Sequence, residues 1–228
     1  MWWDPTMILL IPAILVSLWA QMKVQGAFAK YSRVMFSSGL NGAAVARQLL
    51  HQAGIYDVDV EMIGGNLTDH YDPRQRKLRL SQQVYGSNSL AALGVAAHEA
   101  GHAIQHHTGY FPLEFRNSLV PVASIGSNLA FPLLLLGIFL GAPDLARLGV
   151  YAFTLVVLFQ LVTLPVEFNA SSRAIALLER GGFIRGNEVA ATRKVLNAAA
   201  LTYVAAVLVA VVNLLRLLII SGMLRRND

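Results

Sequence analysis

Four long apolar runs dominate this sequence of 228 residues and limit what it can fold into. A helix that crosses the hydrocarbon core of a bilayer needs roughly 20 apolar residues. The first run, Thr6 to Ala20, contains Pro12 and is flanked by Trp2, Trp3 and Trp19, where interfacial anchors belong. The second, Ser118 to Ala142, includes the stretch Phe131-Pro132-Leu133-Leu134-Leu135-Leu136. The third, Leu145 to Val166, follows after only Pro143 and Asp144, so these two form a tight helical hairpin. The fourth, Ala198 to Ile220, carries Arg216 near its far end, from which a long side chain reaches the headgroups. A secretory signal is the competing reading of the first run. Nothing basic precedes it and Leu18-Trp19-Ala20 is a poor cleavage site, so it reads as an uncleaved anchor.

Composition agrees with a membrane protein. The residues AVILMFWYC make up 55% of the chain and charged residues only 14%, with a mean hydropathy of +0.52. A soluble domain carries about 25% charged residues, so an ordinary soluble domain, a coiled coil and a disordered chain are all excluded. There are no cysteines. Disulfides, thiolate zinc knuckles and cysteine nucleophiles are therefore excluded, and any metal must be held by His, Asp or Glu.

The net charge of +5 becomes informative once it is placed on the spans. Residues 21–117 and 167–197 lie between spans and, by the even crossing number, on one side. They hold fourteen of the eighteen Lys and Arg residues; Arg147, Arg225 and Arg226 lie on the other side and Arg216 within a span. That bias places both polar segments in the cytoplasm and both termini outside. The basic excess then reads as topology and attraction to anionic lipid, and without aromatic-basic interleaving it gives no nucleic-acid footprint. The expected organisation is an anchor at 1–22, a cytoplasmic segment at 23–117, a transmembrane hairpin at 118–166, a second cytoplasmic segment at 167–197, and a last span with its tail at 198–228. In the second span, Gly126 and Ser127 allow close helix approach, within the chain or between copies in a homo-oligomer.

Within the longer polar segment, Ala43 to Ala53 has the spacing of a short amphipathic helix, with Gly54 as its stop. Val58, Val60 and Met62 alternate with Asp57, Asp59 and Glu61; Leu67 to Tyr71 forms a second extended stretch; Lys77-Leu78-Arg79-Leu80-Ser81 alternates again. Gly64-Gly65-Asn66 and Asp72-Pro73-Arg74 supply the turns. The pattern predicts a small three-stranded β-meander. An N-cap in Ser87-Asn88-Ser89 then opens a helix that runs to His107, ended by Gly109 and Pro112.

That helix carries His98-Glu99-Ala100-Gly101-His102, an H-E-x-x-H pattern. Four residues on a helix rotate about 400°, so His98 and His102 project from one face, one turn apart. Two imidazoles there can each give a nitrogen to one zinc ion at about 2.0–2.1 Å. Glu99 is rotated away from that pair and can reach an activated water without being a ligand, as a general base. The competing reading is a buried polar helix whose histidines only satisfy hydrogen bonds, but a buried Glu between two His and no metal is costly. His106 continues the stripe, yet residues at i and i+8 lie about 12 Å apart along the axis, so His106 and His107 read as surface or supporting groups.

Catalytic zinc normally keeps three protein ligands and one open position. Glu167 is the better third ligand, because an acidic residue directly past an apolar span is expensive without a partner and topology puts it on the side of His98. The competing reading pairs it with Arg173 or Arg116.

With these residues in place, the sequence resembles the YugP-type membrane-bound neutral zinc metallopeptidases of bacteria, related by analogy to the HtpX-like proteases. The likeness is carried by Asp69-His70-Tyr71-Asp72-Pro73-Arg74, by Leu78-Arg79-Leu80-Ser81, by the helix from Gly94 to Gln105 and by Pro165-Val166-Glu167-Phe168-Asn169-Ala170-Ser171. It implies a mainly α membrane protein with about four transmembrane helices and a zincin-like cytoplasmic α+β part. It also implies a gluzincin-like site in the bacterial inner membrane, facing the cytoplasm, with His98, His102 and Glu167 on Zn2+ and Glu99 as catalyst. HtpX-like proteins place an Asp four residues after the ligand Glu; here that place is Ser171, so support for the histidines is expected from elsewhere, from Asp69 or Asp72, although turn aspartates more often cap their own loop. Zinc and one of His70, Tyr71 or Arg173 would hold the developing oxyanion. The substrate would be a polypeptide bound extended along an edge strand. A metal transporter or sensor and a catalytically inactive membrane scaffold are the rival functions. The first places its site near mid-bilayer, and the second leaves the His98, Glu99, His102 trio unexplained.

Overall fold

A computed structural model of the chain describes residues 5–222. Trp2, Trp3, Arg225 and Arg226 lie outside the described residues. After a 3-10 turn at Pro5–Leu9 the elements run α1 (Leu10–Tyr31), α2 (Gly42–Gln52), β1 (Asp59–Ile63), β2 (His70–Asp72), β3 (Lys77–Ser81), α3 (Gln82–Tyr85), α4 (Leu90–His107), α5 (Phe111–Phe139), α6 (Pro143–Arg180) and α7 (Asn187–Ile220). Four helical stretches are long and apolar enough to cross a membrane: Pro5–Tyr31, Phe111–Phe139, Pro143–Arg180 and Asn187–Ile220.

At one end or both, each of the four reaches beyond the apolar run that announces it. Hydropathy marks where a helix is greasy and is silent on where its hydrogen bonding ends. The consequence matters most at α6. The sequence reading ends a span at Val166 and opens a separate segment at Glu167, whereas the helix continues without a break to Arg180, with Pro165 inside it. Pro112, expected to help end α4, instead sits in the first turn of α5, where a missing N–H costs nothing.

The residues separate into two compact units, one within Met1–Ala20, Glu114–Pro165 and Thr202–Asp228, the other within Gln21–Leu113 and Val166–Leu201. In the first, glycines set the contact between α5 and α6. A Cβ at Gly137 would collide with Ala146 N, one at Gly149 would meet Ala130 O at 2.6 Å, and one at Gly126 would meet Ala152 O at 2.6 Å. Leu134, Ala146, Val150 and Leu217 form its small buried cluster. Small residues that let backbones approach are the usual glue where lipid removes the hydrophobic drive.

The second unit has the larger core. Leu49 and Leu50 of α2, Leu78 and Leu80 of β3, Leu90, Leu93 and a row of alanines on α4, and Ala174 and Leu178 of α6 are essentially inaccessible. The Asn41 side chain caps α2 by accepting from Ala44 N at 2.8 Å, and Ser89 caps α4 by accepting from Ala92 N at 3.2 Å. Beyond His107 the chain leaves the helix through Thr108 and Gly109, whose φ of +60° suits glycine.

The three strands form a mixed sheet in the order β1-β3-β2, with β1 parallel and β2 antiparallel to β3. This corrects the expected meander, in which β2 would lie in the middle. Leu67, expected in the second strand, instead has φ +53° in the connection, and β2 shrinks to three residues. Residues 64–69 carry the chain across two strand spacings, about 10 Å, which six residues span easily. β3 earns the centre through both its faces. Leu78 and Leu80 point into the core, while Arg79 donates to Glu61 of β1 at 2.6 Å and to Asp72 of β2 at 3.2 Å.

The ladder makes a pH prediction. Lys77 and then Arg79 hold the Glu61 carboxyl below its usual range. The Gln75 backbone N–H, with those of Arg74 and the Arg79 guanidinium, does the same for Asp72. A lowered folded-state pKa stabilises the fold above the ordinary carboxylate range and loses that contribution as pH falls through the folded values. The thermal midpoint of the parent should therefore decline on acidification below about pH 4 more steeply than that of a Glu61→Gln, Asp72→Asn double variant; equal slopes would refute the ladder.

Candidate metal centre

The two histidines of α4 stand one turn apart, their ring centroids separated by 4.7 Å and their planes by 83°. What faces them is decided by Gly101, which lies between them and next to α6. A Cβ there would meet Ala170 O at 2.8 Å and Ala170 Cα at 3.4 Å. Glycine alone lets the α6 backbone come this close, and one turn before Ala170 the same helix presents Glu167. Its Oε2 lies 3.2 Å from His98 Nε2 and 3.5 Å from His102 Nε2. One ligand atom from each of His98, His102 and Glu167 falls within 4.8 Å of the others.

Chemistry and spacing both suit zinc. Two imidazole nitrogens and a carboxylate oxygen are a common catalytic donor set. With ligand bonds near 2.0–2.1 Å, two donors on a tetrahedral ion lie about 3.3 Å apart, close to the separations seen from Glu167 to each ring. The other nitrogen of each ring is also engaged. Ser171 Oγ lies 3.1 Å from His98 Nδ1, and Gln105 Oε1 lies 3.0 Å from His102 Nδ1. Such partners orient metal-bound histidines.

Glu99 is 8% exposed. Burial pushes its carboxyl up, the neighbouring His98 and His102 pull it down, and Glu167 and Asp69 add to the rise; the net direction is up. Burial alone would depress the His102 imidazole, but its hydrogen bond to Glu167 and the Glu99 charge outweigh that, and it moves up. The cluster thus sets two carboxyl groups beside two imidazoles in a dry place, where a bound cation would be stabilised.

The remaining sequence candidates occupy varied positions. Asp69, raised by burial, accepts from Ser81 N at 2.7 Å and from Ser81 Oγ. Asp72 caps its own turn by accepting from Arg74 N and Gln75 N. His70 is exposed, with Nδ1 at 2.8 Å from Thr68 O. Tyr71, pushed up to about 12 by burial, has its hydroxyl 2.8 Å from His106 Nδ1. Arg173 donates to Asn169 Oδ1 at 2.7 Å and lies over the Tyr110 ring, while Arg116 lies over Phe159. Glu167 is paired with the two imidazoles.

Ser171 corrects one expectation. Its hydroxyl reaches His98 from the very position where the HtpX-like pattern has Asp, so support for that ring comes from this place and not from Asp69 or Asp72. The sequence pattern gives neither Gln105 nor Asn169 a role. Their signal is helical spacing: Gln105 stands three residues after His102 and Asn169 four before Arg173, each on the face of its hydrogen-bond partner.

Comparison with known proteins places the chain in a family. Residues 6–222 match the family described as "Putative neutral zinc metallopeptidase", and the chain belongs to that family. It is 51% identical over 212 residues to "Putative membrane protease YugP" of Bacillus subtilis (strain 168), covering 93% of this chain and 94% of that protein. With its four apolar helices, it is a membrane protein of that zinc peptidase family. No solved structure matches it.

The Gly101 contact is testable. Gly101→Val places a branched side chain against the α6 backbone and should cost about 1–3 kcal/mol of stability, as overpacking does, read as a lowered thermal midpoint. An unchanged midpoint would contradict the close approach of the two helices.

Proposed function

We propose that the protein is a zinc-dependent membrane endopeptidase in which His98, His102 and Glu167 hold the metal and Glu99 is the general base and acid. The observation that carries this reading is the convergence of His98 Nε2, His102 Nε2 and Glu167 Oε2 beside a buried carboxyl. Zinc bound there would supply a Lewis acid that makes water acidic near neutral pH and draws electron density from a peptide carbonyl. Glu99 takes the proton from the attacking water and returns it to the leaving amine; its burial, which raises its affinity for a proton, suits a group that must hold one between the two steps. Ser171 and Gln105 keep the two rings in place while this happens. An extended substrate would pair with an edge strand, β1 or β2, since β3 takes the middle of the sheet.

The positive-inside bias supports a site facing the cytoplasm from the bacterial inner membrane. Transport or sensing of a metal needs the two histidines and Glu167 but gives no task to Glu99, so that residue separates the readings.

Glu99→Gln should keep stoichiometric zinc and lose about 10²- to 10⁴-fold in peptide cleavage, measured on the detergent-solubilised protein with a generic substrate. Cleavage at the parental rate would overturn the protease reading. Glu167→Ala should lower zinc occupancy after dialysis against a chelator, and parental occupancy would remove Glu167 from the metal centre.

A further inference from the structure

We infer that Gln105 is a positioning residue, which rests on the metal centre proposed above: its carboxamide, clamped between α4 and α6, fixes which nitrogen of His102 carries the proton and therefore which one faces Glu167. Arg173 Nε can only donate, and it lies 2.7 Å from Asn169 Oδ1, so that atom is the acceptor end of the Asn169 amide. Gln105 Nε2 donates to the same oxygen at 2.9 Å and to the Val166 carbonyl, also at 2.9 Å. Turning the Gln105 amide over would set its oxygen against two acceptors. Its Oε1 consequently faces His102 Nδ1 at 3.0 Å, and an amide oxygen only accepts. His102 must carry a proton on Nδ1, which commits Nε2 to the side of Glu167, 3.5 Å away.

The two histidines differ in this respect. His98 Nδ1 faces the Ser171 hydroxyl, which can donate or accept, so that partner alone does not dictate the tautomer. Gln105 is fully buried, and water has no ready access to replace it. Three residues of α6, namely Val166, Asn169 and Arg173, thus act on a ligand of α4 through one amide, on the same helix that supplies Glu167.

The test uses the full-length, zinc-loaded protein labelled with 15N on histidine, together with zinc affinities from chelator competition at fixed pH. In the parent, the His102 resonances should show zinc on Nε2 and a proton on Nδ1 that exchanges slowly with water. Gln105→Met, similar in size but unable to accept strongly, should bind zinc about 10- to 100-fold more weakly. Zinc on Nδ1 of His102, or an Nδ1 proton exchanging as fast as an exposed histidine's, would overturn the inference on the parent alone, even if a variant fails to fold. So would a Gln105→Met variant with parental affinity. A parent that binds no zinc would instead bring down the metal centre itself.

Discussion

The site depends on a distance between two backbones. α4 can set two histidines one turn apart by itself, but a third donor has to come from elsewhere in the chain, and Gly101 opens the space for it. Because no side chain stands between that residue and Ala170, α6 lies near enough for Glu167 to reach both rings with one oxygen. The helix that bears the histidines is largely buried along its length. Packing and chemistry are here the same fact seen at two scales.

Burial sharpens the electrostatics. Glu99 and Glu167 are both nearly inaccessible, and a carboxylate out of water is expensive without a positive partner. The imidazoles offset part of that cost, and a divalent cation would offset more. Polar groups that could have been left over are used instead as braces: Ser171 toward His98, Gln105 toward His102, and Asn169 and Arg173 behind Gln105. The ion-pair ladder of the sheet is separate from this cluster and holds β3 between its neighbours through Arg79.

Much of this was legible in the sequence, for reasons that differ by element. The spacing of His98 and His102 fixes their common face on any helix, and the cap at Ser89 is local chemistry, so both read directly. The apolar runs announced four long helices. Glu167 stands out because an acid beside an apolar run needs a partner; hydropathy, which changes at Val166, does not show that the helix carries on to Arg180. Strand order was not legible, since alternation marks which residues form strands and cannot say which strand lies between the others; that was decided by Arg79 answering carboxylates on both sides. Gln105 was passed over because a glutamine on a helix is ordinary until a second helix supplies the acceptors that orient it.

X-ray absorption at the zinc edge of the purified, zinc-reconstituted protein tests the central claim most directly. One zinc per chain, with two imidazole nitrogens at about 2.0–2.1 Å and carboxylate oxygen at about 2.0–2.2 Å, is the predicted result. A protein that takes up no zinc, or holds it in a shell without imidazole, would contradict the account.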